Sequence, residues 1–478
     1  MSGTLSNRLE SAMIRSAEGA NNWFIPHDQL NEILDRRSVT DEVTTLFYEE
    51  TPQQLEQVVD RILGQGMISQ GKCRKIFAVL VMIRQARSIK QFIDKNISDA
   101  DIPLKSNPED KFKITAFHIR QEATLKPEGW SNTNYRSFLE YQWFVDAPVF
   151  TRDKSHDDHI PILGEQTIFP WIPDDSLKEK NRQTGHSEVR PIKIHESHHD
   201  FVNTYSRSVF ALKKLHKYVN KSEDKTGVSE IEILRKFNLE DETNLIQLLT
   251  AYCWNDDYYL IFPWANGGSL EDLWESNSNQ RLSKELVTWV SDQCHGVAKG
   301  LYQIHERKLS DWSRERLGGR LEGSNIPGDM EFGLHGDIKP ANILWFKHPQ
   351  ESIGAGVLKI SDFGLAQFHS RETHMRSEHS DWIGCSPSYR PPEWVPMSES
   401  GRTKPYSRKA DIWGLGCVFL EFVTWILLGT DGIEKFADAR IADDRPQARG
   451  ESITQDIFFE VDAETSSAIV KNSVKQAS

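Results

Sequence analysis

Residues 335–342 read HGDIKPAN, and the six positions from Asp337 to Asn342 hold a carboxylate, an ammonium, a proline and a carboxamide. Moving a phosphoryl group onto an alcohol needs a carboxylate to orient the hydroxyl and accept its proton, a cation near the moving group, and hard oxygen ligands for a divalent cation. Asp337, Lys339 and Asn342 could supply these in that order. Gly336, just before the acid, brings neither charge nor side chain.

Such a loop has to be held by rigid elements on both sides. Short strands are expected near 343–346 and 357–360, within a stretch that is otherwise helical beyond residue 268. The run IWGLGCVFLEFVTWILLG (412–429) is apolar on every face, so it has to be buried, and Glu421 inside it argues against a membrane span. Upstream lie strand-like runs at 188–194, 208–215, 245–254 and 258–264, interrupted by a helix-like segment at 229–237. Residues 1 to about 150 read as mostly helical. Thr51, Pro52 and Gly64 cap and end one helix, and a second, more apolar helix is expected over 72–95. A polar stretch near 150–180 marks a boundary.

The 478 residues suffice for two or three domains of the usual ~100–200 residues each. Acidic residues outnumber basic ones 70 to 57 without a long block of either sign, which argues against general nucleic-acid or membrane binding. Five scattered cysteines without a Cys-x-x-Cys pair disfavour disulfides and zinc ribbons, and the N-terminus lacks the apolar core of a secretory signal. A soluble intracellular protein, cytoplasmic or nuclear, is expected.

HGDIKPAN resembles the catalytic loop of eukaryotic protein kinases, and the motifs around it follow the same order. Asp362-Phe363-Gly364 resembles the magnesium-binding triplet, and CSPSYRPPEW (385–394) the end of the activation segment, with Ser386 in its substrate-docking loop and Glu393 as its closing glutamate. DIWGLGCVFLE (411–421) resembles the central helix of the large lobe, whose Asp411 would brace the catalytic loop through backbone hydrogen bonds. VFALKKL resembles the third small-lobe strand and LIFPWANGGSLEDLW the hinge between lobes. The resemblance implies an α+β, bilobal kinase fold with a small β-rich lobe at about 165–262, a large helical lobe at about 266–445 and an insert at 306–333, preceded by the helical region. It makes Asp337 the base and Lys339 its neighbour at the phosphate, in the serine/threonine style. Asn342 and Asp362 would hold Mg2+, and Lys213, paired with Glu230, would hold the α- and β-phosphates of ATP. Val189 and Ala211 would line the nucleotide; Phe262 would be the gatekeeper, with the Pro263 carbonyl and Ala265 N–H reaching adenine. The implied activity is ATP- and Mg2+-dependent phosphorylation of protein serine or threonine. The helical N-terminal region is a candidate partner surface, and neither nucleic acid nor membrane is an expected partner. The insert and the HGDIKP form look similar to kinases of filamentous fungi.

Three departures stand beside the match. Arg182, Thr184 and Ser187 occupy the positions of the phosphate-cradling glycines, with only Gly185 between them. Gly336 replaces an arginine whose charge a phosphorylated activation segment often neutralises, so Ser370, Thr373, Ser377 and Ser380 lose that partner. After about residue 428 the chain turns polar, and residues 446–478 read as a tail that leaves the large lobe truncated, its apolar helix partly uncovered and Glu393 without an arginine. The alternative is therefore a pseudokinase or scaffold with a degenerate nucleotide site. Aminoglycoside-type phosphotransferases share elements of the catalytic loop but lack an ending like that at 385–394. His195, His198 and His199 lack a matching ligand pattern for a metal and are expected in a turn between strands.

Overall fold

The computed structural model describes residues 4–19, 22–65, 71–107, 110, 112–117, 122–152, 160–177, 182–183, 187–201, 209–215, 226–237, 242–278, 281–306, 332–348, 355–364, 367–369, 386–394, 407–443, 456–461 and 467–477. Thr184 and Gly185, insert residues 307–331, and Ser370, Thr373, Ser377 and Ser380 lie outside the described residues. The chain packs as two compact units. One comprises residues 1–203, 207–217 and 249–261, the other 204–206, 218–248 and 262–478.

The first unit begins with helices α1 (Leu5–Ser11), α2 (His27–Ile33), α3 (Arg36–Leu46), α4 (Pro52–Leu63), α5 (Arg74–Met82), α6 (Ile89–Asp94) and α7 (Asn132–Val145). Strands β1 (Ile14–Arg15) and β2 (Trp23–Phe24) pair with each other. Strands β3 (Lys105–Ser106), β4 (Ile114–Phe117) and β5 (Glu122–Leu125) make a small sheet that the helical reading of this region missed. Helix α4 follows its sequence signals: Thr51 and Gln54 form a capping box, Pro52 opens the first turn, and Gly64 closes the helix at φ 70°. The single helix expected over 72–95 is corrected to α5, a turn at Ala86–Ser88, and α6. Arg84 takes the left-handed conformation (φ 58°), and the N–H groups of Arg84 and Gln85 bond back to the Val81 and Leu80 carbonyls. This is the glycine-type helix stop made without glycine, so no sequence signal marks it. The break suits the composition. Ile76 to Met82 are all buried, whereas the segment that follows alternates in burial.

The same unit holds, up to Ile261, the five-stranded sheet, ordered β6 (Arg182–Gln183), β7 (Ser187–Lys193), β8 (Val209–Leu215), β10 (Asp257–Pro263), β9 (Thr250–Trp254). On β8, Phe210 and Leu212 face an apolar core with Phe169, Trp171, Tyr252 and Ile261. Trp171 stacks between Phe150 and Phe169 at ring separations of 5.3 and 5.1 Å. The stretch around 150–180, expected as a boundary, is bonded along this sheet. Leu163 N–H meets the Cys253 carbonyl at 2.9 Å, and Ile172 N–H meets that of Lys193 at 2.7 Å.

The histidine-rich stretch does form a turn between β7 and β8, at Glu196–His198, and one of its rings joins the helical region to the sheet. His198 is buried with Nδ1 3.0 Å from the Pro148 carbonyl, and its Nε2 accepts the His27 backbone N–H at 3.0 Å. A carbonyl on one nitrogen and an amide on the other fix the neutral Nδ1–H tautomer.

The second unit contains α8 (Thr226–Phe237), α9 (Leu270–Ser276), α10 (Lys284–Glu306) and α11 (Arg408–Ala442), the last kinked at Gly429. Strands β11 (Phe332–Leu334) and β14 (Gln367–His369) pair, as do β12 (Ile343–Phe346) and β13 (Val357–Ile360), the latter two at the expected bounds. The C-terminal residues, read as a polar tail, form a strand pair, β15 (Phe459–Val461) and β16 (Ala468–Val470), and a helix, α12 (Asn472–Ala477). Phe458 and Val474 from this stretch join Cys417 and Phe436 of α11 in one apolar cluster. Ile412, Leu427 and Leu428 of α11 remain exposed.

Burial pushes the His198 pKa down to about 4 from 6.5. The native state then binds fewer protons than the unfolded chain between those values, so stability is full above pH 6.5 and is lost as pH falls toward 4. Denaturant titrations should show the His198 contribution falling by roughly 2 kcal/mol between pH 7 and 5. A His198→Gln variant should show a correspondingly shallower pH dependence; an unchanged slope would refute the assignment.

Candidate active site

The HGDIKPAN loop hangs from one buried carboxylate. Asp411, on the first turn of α11 and 1% exposed, accepts the His335 N–H at 2.8 Å on Oδ2 and the Gly336 N–H at 2.9 Å on Oδ1. His305 Nε2 at the end of α10 lies 2.8 Å from the same Oδ2. This is the brace that the resemblance implied. Helix α11 can come so close because residue 414 is glycine: a Cβ there would sit 2.9 Å from the Ile338 carbonyl oxygen.

The structure gives Gly336 a second, steric reason to be glycine. Its φ is +87°, which costs an L-residue with a side chain roughly 1–2 kcal/mol. Losing an arginine's charge and accommodating this backbone are compatible consequences of one residue.

His335 is fully buried and links two loops that the sequence reading treated separately. Its Nε2 is 3.0 Å from the Ser361 carbonyl, its Nδ1 accepts the Asp337 N–H at 3.3 Å, and its ring meets Phe363 edge-on at 5.2 Å. An acceptor facing Nε2 and a donor facing Nδ1 assign the neutral Nε2–H tautomer. Ser361 adds a second tie. Its N–H and Oγ both donate to the Asn342 carbonyl, at 2.8 and 2.9 Å. Asn342 and Asp362 are thereby held at the same end of the β12–β13 pair, with Asp362 at φ +64°. The roles of His335 and Ser361 were missed because each looks ordinary in sequence, and their significance comes from pairing across 26 and 19 positions.

Around Asp337 the geometry is close. Lys339 Nζ lies 2.7 Å from Oδ2, Asn342 Nδ2 donates to the same oxygen at 3.0 Å, and the Ser386 N–H reaches Oδ1 at 3.3 Å. Lys339 Nζ also donates to Ser386 Oγ at 2.9 Å, so Ser386 closes onto the acid. Oδ2 carries two donors and Oδ1 one long contact, which leaves Oδ1 the better acceptor for an incoming hydroxyl.

The remaining candidates fall in both units. In the first, Val189 on β7 stands opposite Lys213 on β8, and Pro191 opposite Ala211. Lys213 is 7% exposed, on the face opposite Phe210 and Leu212. The strands that flank the substituted glycine positions pair antiparallel, with Arg182 opposite Val189 and Gln183 opposite Glu188. In the second unit, Glu230 is buried on α8, and a Cβ at Gly364 would lie 3.6 Å from its Oε2 and 3.4 Å from Asp362 Oδ1. Phe262 is buried; Pro263 and Ala265 are half-buried and lead into a turn where Gly267 N–H bonds the Trp345 carbonyl at 3.0 Å. Among the described residues no three His, Cys, Asp or Glu side chains gather as a metal site. Asn342 and Asp362 nonetheless fit Mg2+, which takes few protein oxygens and completes its shell with phosphate and water.

The protein kinase domain family matches residues 199–310 and 330–454. The chain is 28% identical over 203 residues to a probable serine/threonine-protein kinase, nek3, of Dictyostelium discoideum, covering 41% of this chain and 14% of that one. It is 27% identical over 294 residues to the mitosis inhibitor protein kinase SWE1 of Candida albicans, covering 58% and 21%. A leucine-rich repeat receptor protein kinase of Oryza sativa, MSP1, is 28% identical over 217 residues, covering 45% and 13%. The chain thus spans about an eighth to a fifth of these relatives' lengths. It belongs to the protein kinase domain family.

Replacing Gly336 by alanine should lower stability by roughly 1–2 kcal/mol through the backbone alone. Asp411→Ala should cost more, roughly 2–5 kcal/mol, because two buried N–H groups lose their acceptor. Chemical denaturation of both variants checks the order; an Asp411→Ala variant as stable as wild type would contradict the brace.

Proposed function

We propose that this chain is an ATP- and magnesium-dependent kinase that transfers the γ-phosphate of ATP to a serine or threonine hydroxyl of a protein. The observation that carries the reading is the Asp337 carboxylate held between Lys339, Asn342 and the Ser386 N–H. In this reading Asp337 Oδ1 orients the substrate hydroxyl and takes its proton as the new O–P bond forms and the β,γ-bridging O–P bond breaks. Lys339 keeps a positive charge beside the acid, and Ser386 keeps the docking loop in place. Lys213 binds the nucleotide phosphates, Val189 and Ala211 line the base, and Glu230 is a further cofactor-binding candidate. Phe262, Pro263 and Ala265 form the segment that contacts adenine; Pro263 lacks an N–H but keeps its carbonyl. Asn342 and Asp362 would hold Mg2+, which when bound neutralises phosphate charge. The kinase domain covers about residues 165–445 on this reading. The helical region 1–150 is a surface for a protein partner, and the setting is soluble and intracellular, cytoplasmic or nuclear. The mixed surface charge supports a partner list without nucleic acid or membrane.

Lys213→Met and Asp337→Asn separate the two halves of the mechanism. The first should weaken ATP binding; the second should keep it while slowing transfer about 10²–10⁴-fold. Calorimetric ATP titration and single-turnover transfer to a peptide library measure both. Wild-type protein that binds ATP yet labels neither the library nor itself would favour the scaffold instead.

A further inference from the structure

The second unit buries a charged chain that starts in the C-terminal segment and ends at the docking loop. Arg440 of α11, 1% exposed, donates from Nε to Asp456 Oδ1 at 2.6 Å and from Nη2 to Asp456 Oδ2 at 3.1 Å and Glu421 Oε1 at 3.0 Å. Its guanidinium lies over the Phe436 and Phe458 rings at 4.3 and 4.2 Å, and its carbonyl accepts Lys471 Nζ at 2.6 Å. Glu421 Oε2 accepts the Tyr389 hydroxyl at 2.8 Å. Tyr389 closes the Pro387–Tyr389 turn, its N–H bonding the Ser386 carbonyl at 3.3 Å. Ser386 is the residue that touches both Asp337 and Lys339.

A buried ion cluster of this kind is a poor source of net stability, because desolvation offsets most of the attraction. What it offers is direction. Arg440 presents a planar fork that fits two carboxylates at fixed angles, and Tyr389 can satisfy its hydroxyl there in only one position of the turn. We propose that Asp456 is a positioning residue for phosphoryl transfer, acting through Arg440, Glu421 and Tyr389 to hold Ser386 against Asp337 and Lys339. The proposal rests on the kinase reading, and it assigns a role in the reaction to the C-terminal segment that sequence alone presents as a polar tail.

Asp456 is the place to test it, because its side chain is 30% exposed and its removal leaves Arg440 and Glu421 as a balanced pair. Asp456→Ala should lower kcat/KM for a peptide substrate about ten- to a hundredfold while leaving the KM for ATP unchanged. Asp456→Glu should recover part of the loss. Hydrogen–deuterium exchange of residues 386–394 should speed up in Asp456→Ala, and that readout does not need catalysis. A wild-type protein with no transfer would defeat the kinase reading, and the exchange result would then decide the anchoring by itself. If Asp456→Ala fails to fold, Tyr389→Phe, which removes one oxygen at the other end of the chain, should give the same peptide-specific loss and the same faster exchange. Exchange at 386–394 and peptide kcat/KM as in wild type, in whichever of these variants folds, would overturn the proposal.

Discussion

The site depends on one constraint: a carboxylate buried at the start of α11 has to accept two consecutive backbone N–H groups. Asp411 meets His335 and Gly336 at 2.8 and 2.9 Å, and a buried acceptor so placed fixes the loop's path at the backbone. Two glycines follow from it. Gly336 turns the chain at a positive φ immediately before Asp337, and Gly414 lets the helix come within reach of the Ile338 backbone. His335 then carries the arrangement across to Ser361, and Ser361 to Asn342, so that the proposed base and the proposed metal ligands share one hydrogen-bonded frame.

The same helix shows how charge is kept inside an apolar element. Asp411, Glu421 and Arg440 of α11 are all buried, and each has a polar partner brought from elsewhere in the chain. Breaking such a pair from one side strands a charge, whereas removing a charge from an exposed end does not. By length and composition α11 could cross a membrane. Its buried, partnered ionic groups instead tie it to the loops of its own unit.

Much of the site was legible in sequence because its chemistry is local. Asp337, Lys339 and Asn342 lie within six positions, and β12 and β13 have the bounds their apolar runs suggested. Asp411 could be assigned a bracing role from its neighbours' resemblance alone. What escaped the reading depends on distant pairing or on backbone states without a residue signature. Arg84 ends α5 in a conformation usually left to glycine, so the apolar run gave no sign of a break. His198 looked like one of three clustered histidines, and its role comes from Pro148 and His27, 50 and 171 positions away. The C-terminal stretch looked polar because Asp456 and Lys471 face partners on α11, which a count of apolar residues cannot register.

The central claim, that the Asp337 frame transfers phosphate to hydroxyls, is tested most directly by phosphoamino-acid analysis after incubating the purified chain with ATP labelled at the γ-phosphate and a degenerate peptide library. The account predicts label on serine or threonine in the presence of Mg2+ and its loss on chelation. Folded protein that leaves every hydroxyl unlabelled at saturating ATP and Mg2+ would contradict it.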